Sequence, residues 1–432
     1  MRGEWVVKAI GDIATVVGGS TPSTRDAANF DGDIPWLTPK DLAGPHPRYI
    51  TRGERNLSRM GLESCSAQIL PANSVLLSSR APIGYLAIAK NPLATNQGFR
   101  SLVVKPGYDH EFIYYWLLAN VAELERHATG STFKELSGSA LKQIRLRLPS
   151  ALSEQRAIAH ILGTLDDKIE LNRRMNETLE AMARALFKAW FVDFEPVRAK
   201  IEGRWQRGQS LPGLPAHLYD LFPDRLIPSE LGEIPEGWEV TTVADEFSIV
   251  MGQSPPGATY NEAGDGMPFY QGRADFQLRF PKRRVYCTSP TRLSKAGDTL
   301  ISVRAPVGDI NMAVEDCAIG RGVAAVRHKS GSRSYTYQFM RGLEAVFARF
   351  EAEGTVFGSI SKTDFHTIPC IAPPPHTISC FEKALEPVDN RIEVAEIESR
   401  TLAQLRDTLL PKLISGELQV KDAETFLERI AP

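Results

Sequence analysis

Ser78-Ser79-Arg80-Ala81-Pro82-Ile83-Gly84 returns later in the chain as Ser302-Val303-Arg304-Ala305-Pro306-Val307-Gly308, and Gly130-Ser131-Thr132-Phe133 returns as Gly354-Thr355-Val356-Phe357, both at an offset of 224. Outward from these stretches, Trp5, Asp12 and Gly19-Ser20-Thr21-Pro22 align with Trp238, Asp245 and Gly252-Gln253-Ser254-Pro255 at an offset of 233. The first copy therefore holds nine extra residues between Pro22 and Arg80. Two diverged copies of one module imply one job done at two places.

The repeat divides the 432 residues into a module over 1–150, a helix over 151–195, a Pro/Gly-rich linker over 196–237, a second module over 238–375, and a second helix with a C-terminal tail over 376–432. In the modules, short β-type runs such as Val75-Leu76-Leu77 and Thr299-Leu300-Ile301 alternate with turn formers, and helices are expected over 111–118 and near 337–340. Each module reads as a strand-rich α+β domain. After Pro149 the texture changes. Ile158, Leu162, Leu165, Ile169, Asn172, Asn176, Leu179, Ala183, Leu186 and Trp190 step by four and three, a heptad seam. Shifted by 223, the seam recurs through Phe381, Leu385, Val388, Ile392, Ala395, Ser399, Leu402, Arg406, Leu409 and Leu413. Two such rods are expected to pair antiparallel. That gives two similar modules separated by a helix pair, related by a pseudo-two-fold axis. Asn172 and Asn176 could pin the register.

Hydrophobic residues at 43% and charged residues at 24% describe an ordinary globular chain, with no run approaching the ~20 apolar residues of a membrane span and no signal peptide. A cytoplasmic location follows as an expectation. The cysteines at 65, 287, 317, 370 and 380 have no counterparts between copies and read as reduced thiols. Net charge is −2, but residues 1–150 hold 17 Lys/Arg against 13 Asp/Glu, and the second module carries a basic knot at Arg279, Lys282, Arg283 and Arg284. No Gly-Lys dipeptide occurs, which removes a phosphate-binding P-loop, and the Asn-Pro-Pro-aromatic run of an amino-methyltransferase is missing. The histidines do not repeat between copies, so neither a duplicated catalytic centre nor a metal site is expected. Asp166-Asp167-Lys168 and Asp389-Asn390-Arg391 fall on outer heptad positions, where a salt-bridged helix face is expected. These patterns favour a binding protein over an enzyme.

Arg80 and Arg304 could clamp a phosphate, read a guanine edge, or brace their own turn through a carboxylate. Gly19, Ser20 and Thr21, with Gln253 and Ser254 in the second copy, could offer backbone N–H groups to phosphate. Ser131, Lys134, Thr355 and Lys362 flank the closing motif of each module. Base readers belong where the copies disagree yet stay polar. Thr38 and Lys40 face Gln271 and Arg273, while Asn96 and Gln97 face Arg321. Asn and Gln suit adenine, and Arg suits guanine.

The order of segments, both Arg-Ala-Pro-Ile/Val-Gly turns, the run Leu152-Ser153-Glu154-Gln155-Arg156-Ala157-Ile158-Ala159, and the ending Leu409-Leu410-Pro411-Lys412-Leu413-Ile414-Ser415-Gly416-Glu417-Leu418 resemble the specificity subunit of Type I restriction-modification enzymes. The resemblance implies two target-recognition domains on double-stranded DNA, each reading half of a split asymmetric site, with the helices as a ruler for the unread spacer. It also implies two methyltransferase subunits docked on the helices and bringing S-adenosylmethionine, and restriction/translocase subunits bringing ATP and Mg. This chain would hold no cofactor or catalytic residue of its own. One departure is that the second helix starts with Ser379-Cys380-Phe381-Glu382 where the first has Glu-Gln-Arg, which implies a weaker partner contact there. A coiled-coil scaffold that binds protein and not DNA remains the alternative, and an enzyme with an unrecognised site is a third.

Overall fold

The computed structural model describes residues 4–130, 134–353 and 358–423. In the first module a five-stranded sheet has the order β1 (Ala14–Gly18), β6 (Arg100–Val104), β3 (Val75–Ser79), β4 (Ile83–Ala89) and the short strand Tyr49–Ile50. A small second sheet pairs β2 (Phe30–Leu37) in parallel with β5 (Ala94–Thr95), Trp36 opposite Ala94 and Leu37 opposite Thr95. Every residue of β3 is buried, as expected for a strand covered on both faces and hence apolar without alternation. Helix α1 (His110–Ala119) lies on this sheet and starts at Asp109, whose side chain accepts from Phe112 N at 2.9 Å. After two short helices and the strand Arg145–Pro149, which pairs with Trp5–Ala9, comes the 40-residue helix α2 (Leu152–Phe191).

The second module repeats the plan. Its main sheet runs β7 (Phe247–Met251), β12 (Val323–His328), β9 (Thr299–Val303), β10 (Val307–Met312), again with the central β9 wholly buried. Its smaller sheet pairs β8 (Met267–Tyr270) in parallel with β11 (Cys317–Ile319). Helix α3 (Arg333–Gly342) is capped by Ser332, and α4 (Pro375–Ser415) is the second long helix. The stretch 196–237 is more than extended chain: a helix over Glu195–Ile201 and a 3-10 turn over Ala216–Leu221 bury Val197, Trp205, Leu218 and Phe222 among Trp190 and Phe191 of α2.

The contacts of the chain form two units, residues 1–173 with 397–432, and residues 174–396. In the first, α2 and α4 pack antiparallel: Asp166 meets Arg406 at 2.7 Å, and Asn172 Nδ2 donates to Glu398 at 2.8 Å. Ile158, Leu162, Leu165, Leu409 and Leu413 are buried there, while Leu402 is half-buried. In the second unit Asn176 Nδ2 donates to Ile392 O at 3.3 Å, and Phe187 packs edge-on to Phe381. Leu385 and Ile392 are buried, Leu179 and Val388 half-buried. Leu186 is only half-buried because the aromatic Phe187 and Trp190 carry the contact. Ile169 is also half-buried. The heptad reading thus gave the helices and their direction, and the seam shifts by one residue where aromatics take over.

The salt-bridged face expected at Asp166 and Asp389 is present, with Arg406 and Arg279 as partners, and the second module packs over it to leave Asp389 only 3% exposed. One expectation needs correction. Arg279 does not belong to a surface basic knot but is fully buried against α2 and α4. The five cysteines are free thiols. Among the described residues no helix is long and apolar enough to cross a membrane.

Candidate nucleic-acid interface

One set of backbone hydrogen bonds builds the same loop edge in both modules. In the first, Ser20 N donates to Thr95 O (2.9 Å), Asn96 N to Leu37 O (2.9 Å), Ser79 N to Gly98 O (2.7 Å) and Leu136 N to Ser79 O (2.9 Å). In the second, Gln253 N donates to Ile319 O (3.1 Å), Gly320 N to Tyr270 O (2.8 Å), Val303 N to Gly322 O (2.9 Å) and Ile360 N to Val303 O (3.2 Å). Each of the four bonds maps onto its counterpart at the sequence offsets. The close approach explains the retained glycines. A Cβ on Gly19 would lie 2.2 Å from the carbonyl oxygens of Thr95 and Asn96, and one on Gly252 2.2 Å from Gly320 O. The Arg-Ala-Pro turns cap the β3–β4 and β9–β10 hairpins, and both Ala-Pro peptide bonds are cis.

These bonds bring Gly19, Ser20, Thr21, Thr38, Lys40, Asn96, Gln97 and Arg80 to one edge of the first module, with Lys134 exposed beside the Thr129–Glu135 bridge. Gln253, Ser254, Gln271, Arg273, Arg304 and Arg321 occupy the matching edge of the second. Lys362 opens the short exposed helix that follows it. Ser131 and Thr355 lie outside the described residues.

The 3-10 turns that carry the central candidates are held alike. Thr38 N and Gln271 N each donate to a carboxylate, Asp41 Oδ2 and Asp275 Oδ2, at 2.7 Å. Thr38 Oγ1 also donates to Asp41 Oδ2 (2.8 Å), so this hydroxyl braces its own turn and is not a free reader. Ser254 Oγ accepts from Arg321 N at 3.3 Å and likewise braces its loop. The amides are better placed. Asn96 Oδ1 accepts from Gly98 N (2.8 Å) and Gln97 Oε1 from the Thr21 hydroxyl, and both amide nitrogens are without partners among the described residues. Fixed oxygens with free –NH2 groups present donors in a set direction.

Electrostatically the edges differ. Arg80 lies 3.8 Å from Glu135, and Arg100 reaches the same carboxylate at 3.1 Å while donating to Gln97 O and Phe99 O. At the position of Glu135 the second module has Ser359, which bridges Arg304 through the backbone. Among the described residues no carboxylate pairs with Arg304, Arg321, Lys134 or Lys362. Lys40 pairs with Glu54 at 3.0 Å and Arg273 with Asp309 at 3.3 Å, exposed pairs that hold their cations weakly. Glu135 and Arg100 escaped the sequence reading because neither is repeated in the other copy.

Several known proteins are similar to this chain. Residues 2–181 match the family model described as Type I restriction modification DNA specificity domain. The chain is 35% identical over 439 residues to the Type I restriction enzyme MjaIX specificity subunit of Methanocaldococcus jannaschii, covering 97% of this chain and 94% of that protein. It is 30% identical over 362 residues to the putative MjaX specificity subunit of the same organism, covering 80% and 77%. A crystal structure of the Type-I restriction-modification S subunit from M. genitalium matches with a TM-score of 0.57 over 95% of this chain and 96% of that one, at 16% identity, and so shares the fold.

Proposed function

Because the chain belongs to the specificity subunits of Type I restriction enzymes, we propose that its two modules read the two halves of one split, asymmetric site in double-stranded DNA. The observation that carries this reading is the repeated loop edge: four matching backbone hydrogen bonds support different outward side chains, Asn96 and Gln97 in one copy and Arg321 in the other. A constant scaffold with changed donors suits two readers of different base sequences, adenine by the amides and guanine by the arginine. Backbone N–H groups and the arginines of the turns would hold phosphates and set the register without reading sequence.

In this reading α2 and α4 fix the number of unread base pairs and dock two methyltransferase subunits. Those subunits supply S-adenosylmethionine and the transfer to adenine, and restriction/translocase subunits supply ATP and Mg chemistry. This chain contributes recognition and geometry and holds no catalytic residue. The test is single-molecule sequencing of methylated adenine in the host genome with the gene present and deleted. Loss of one bipartite motif on deletion is expected, and unchanged methylation with an expressed methyltransferase subunit present would overturn the reading.

A further inference from the structure

Two buried arginines away from the loop edges fasten each module to the helices by the same device. Arg48 of the first module, 9% exposed at its side chain, donates from Nη1 to Tyr115 Oη (2.6 Å), which itself donates to Asp166 Oδ2 on α2 (2.6 Å). Its Nη2 pairs with Asp167 Oδ1 on α2 (2.9 Å) and Glu111 (3.3 Å). Arg279 of the second module, 1% exposed, donates to Glu180 Oε1 on α2 (2.8 Å) and Asp389 Oδ1 on α4 (2.6 Å), with its guanidinium 4.3 Å over the Tyr337 ring. Asp166 and Asp389 are repeat equivalents at an offset of 223, at which Tyr337 corresponds to Tyr114, the neighbour of Tyr115. In both arginines Nε is buried without a hydrogen-bond partner among the described residues.

Stability is a poor reason to keep such clusters, since a buried ion pair often does no better than apolar packing of the same volume. The first cluster also lies against Gly163 in the interior of α2: a Cβ there would lie 2.6 Å from Arg48 Nη1, so the guanidinium would have to shift. An interior glycine weakens a helix relative to alanine. What a planar guanidinium fork adds over an apolar contact is direction. We propose that Arg48 and Arg279 are positioning residues for half-site spacing. They fix the angular setting of each loop edge on its helices, so that one spacer length is accepted and its neighbours are refused. The proposal rests on the bipartite reading above. One base pair shifts a half-site by about 3.4 Å and turns it by about 35°, so a reader free to swivel by that amount would accept the next spacer.

The experiment uses the assembled methyltransferase complex on a plasmid library carrying the two half-sites at every spacer from three shorter to three longer than the genomic motif, read by single-molecule sequencing. Gly163→Ala, Arg48→Met and Tyr115→Phe are compared with the wild type. The expected result is that the half-site letters stay the same while the share of methylation at spacers one base pair off rises by about ten-fold. Gly163→Ala matters most, because alanine favours the helix while displacing the guanidinium, which keeps the test open if Arg48→Met fails to fold. A merely structural role would lower methylation at all spacers in proportion, and that outcome, or an unchanged spacer distribution in the folded variants, overturns the proposal. A wild-type complex that methylates no split motif overturns the bipartite reading itself.

Discussion

His328 closes β12 with its ring edge-on to Phe247 and Tyr335, at 5.0 and 5.1 Å. Ser330 N donates to Nδ1 at 3.0 Å, so Nε2 carries the proton that faces Glu246 at 3.1 Å. Burial lowers the pKa of the ring below its ordinary 6.5, aided by Lys329, and the Glu246 carboxylate offsets only part of this. The folded state therefore keeps the ring neutral, while the unfolded chain takes up a proton below 6.5. Stability from this residue is present above that pH and is lost as the pH falls toward the folded value. The unfolding midpoint should drop between about pH 7 and pH 5, and His328→Gln should flatten that drop. Parallel midpoint curves for the two proteins in calorimetry would contradict this. At this scale the repeat made Gly19 and Gly252 legible, because a carbonyl contact with no room for Cβ leaves the same residue in both copies. It did not make Arg279 legible, since its partner Glu180 is 99 residues away and the local sequence shows only a cluster of cations. Nor could the repeat have paired it with Arg48, because their separation of 231 matches neither offset that aligns the modules.

The long helices were readable from heptad spacing, and so was the pairing direction within each unit. The inward turn of Asp166 and Asp389 was not, because an outer heptad position is solvated only if nothing else packs there. Gln155 makes the same point. It is fully buried, with Nε2 donating to Pro149 O (2.9 Å) and Oε1 accepting from Asp109 N (3.0 Å). Its counterpart at the start of α4, Ile378, is also buried. The sequence departure at the second helix start thus exchanges hydrogen bonds for apolar packing inside the unit. In the seam, Asn176 Oδ1 is buried without a partner among the described residues while Nδ2 makes one long bond of 3.3 Å. Asn176→Leu should therefore stabilise the fold by on the order of 1–2 kcal/mol, at the expense of register specificity. Denaturant unfolding checks this, and a lowered midpoint concentration would show that the bond to Ile392 O outweighs the orphaned oxygen.

For the whole molecule, affinity for DNA should behave as the sum of two separately built edges. Replacing Arg304, which has no carboxylate partner among the described residues, should flatten the dependence of log affinity on log salt by about one unit. Arg80→Ala should change it less, because Glu135 already draws on that charge. The double variant should lose the product of the two single losses, since the residues share no partners. Fluorescence anisotropy across a salt series measures all three, and a loss confined to Arg80→Ala would reverse the assignment of the stronger phosphate contact.

The first unit joins residues 1–173 to 397–432, whereas the second is one uninterrupted stretch. On the ribosome, 223 residues emerge between the two pieces of the first unit, a delay of roughly 10–45 s at ~5–20 residues per second. Throughout that interval Ile158, Leu162 and Leu165 lack Leu409 and Leu413 as cover, while residues 174–396 emerge whole. The half of the protein that is translated first is the last that can finish folding, and a nascent chain stalled late in its message would expose an apolar stripe to chaperones instead of a completed DNA reader.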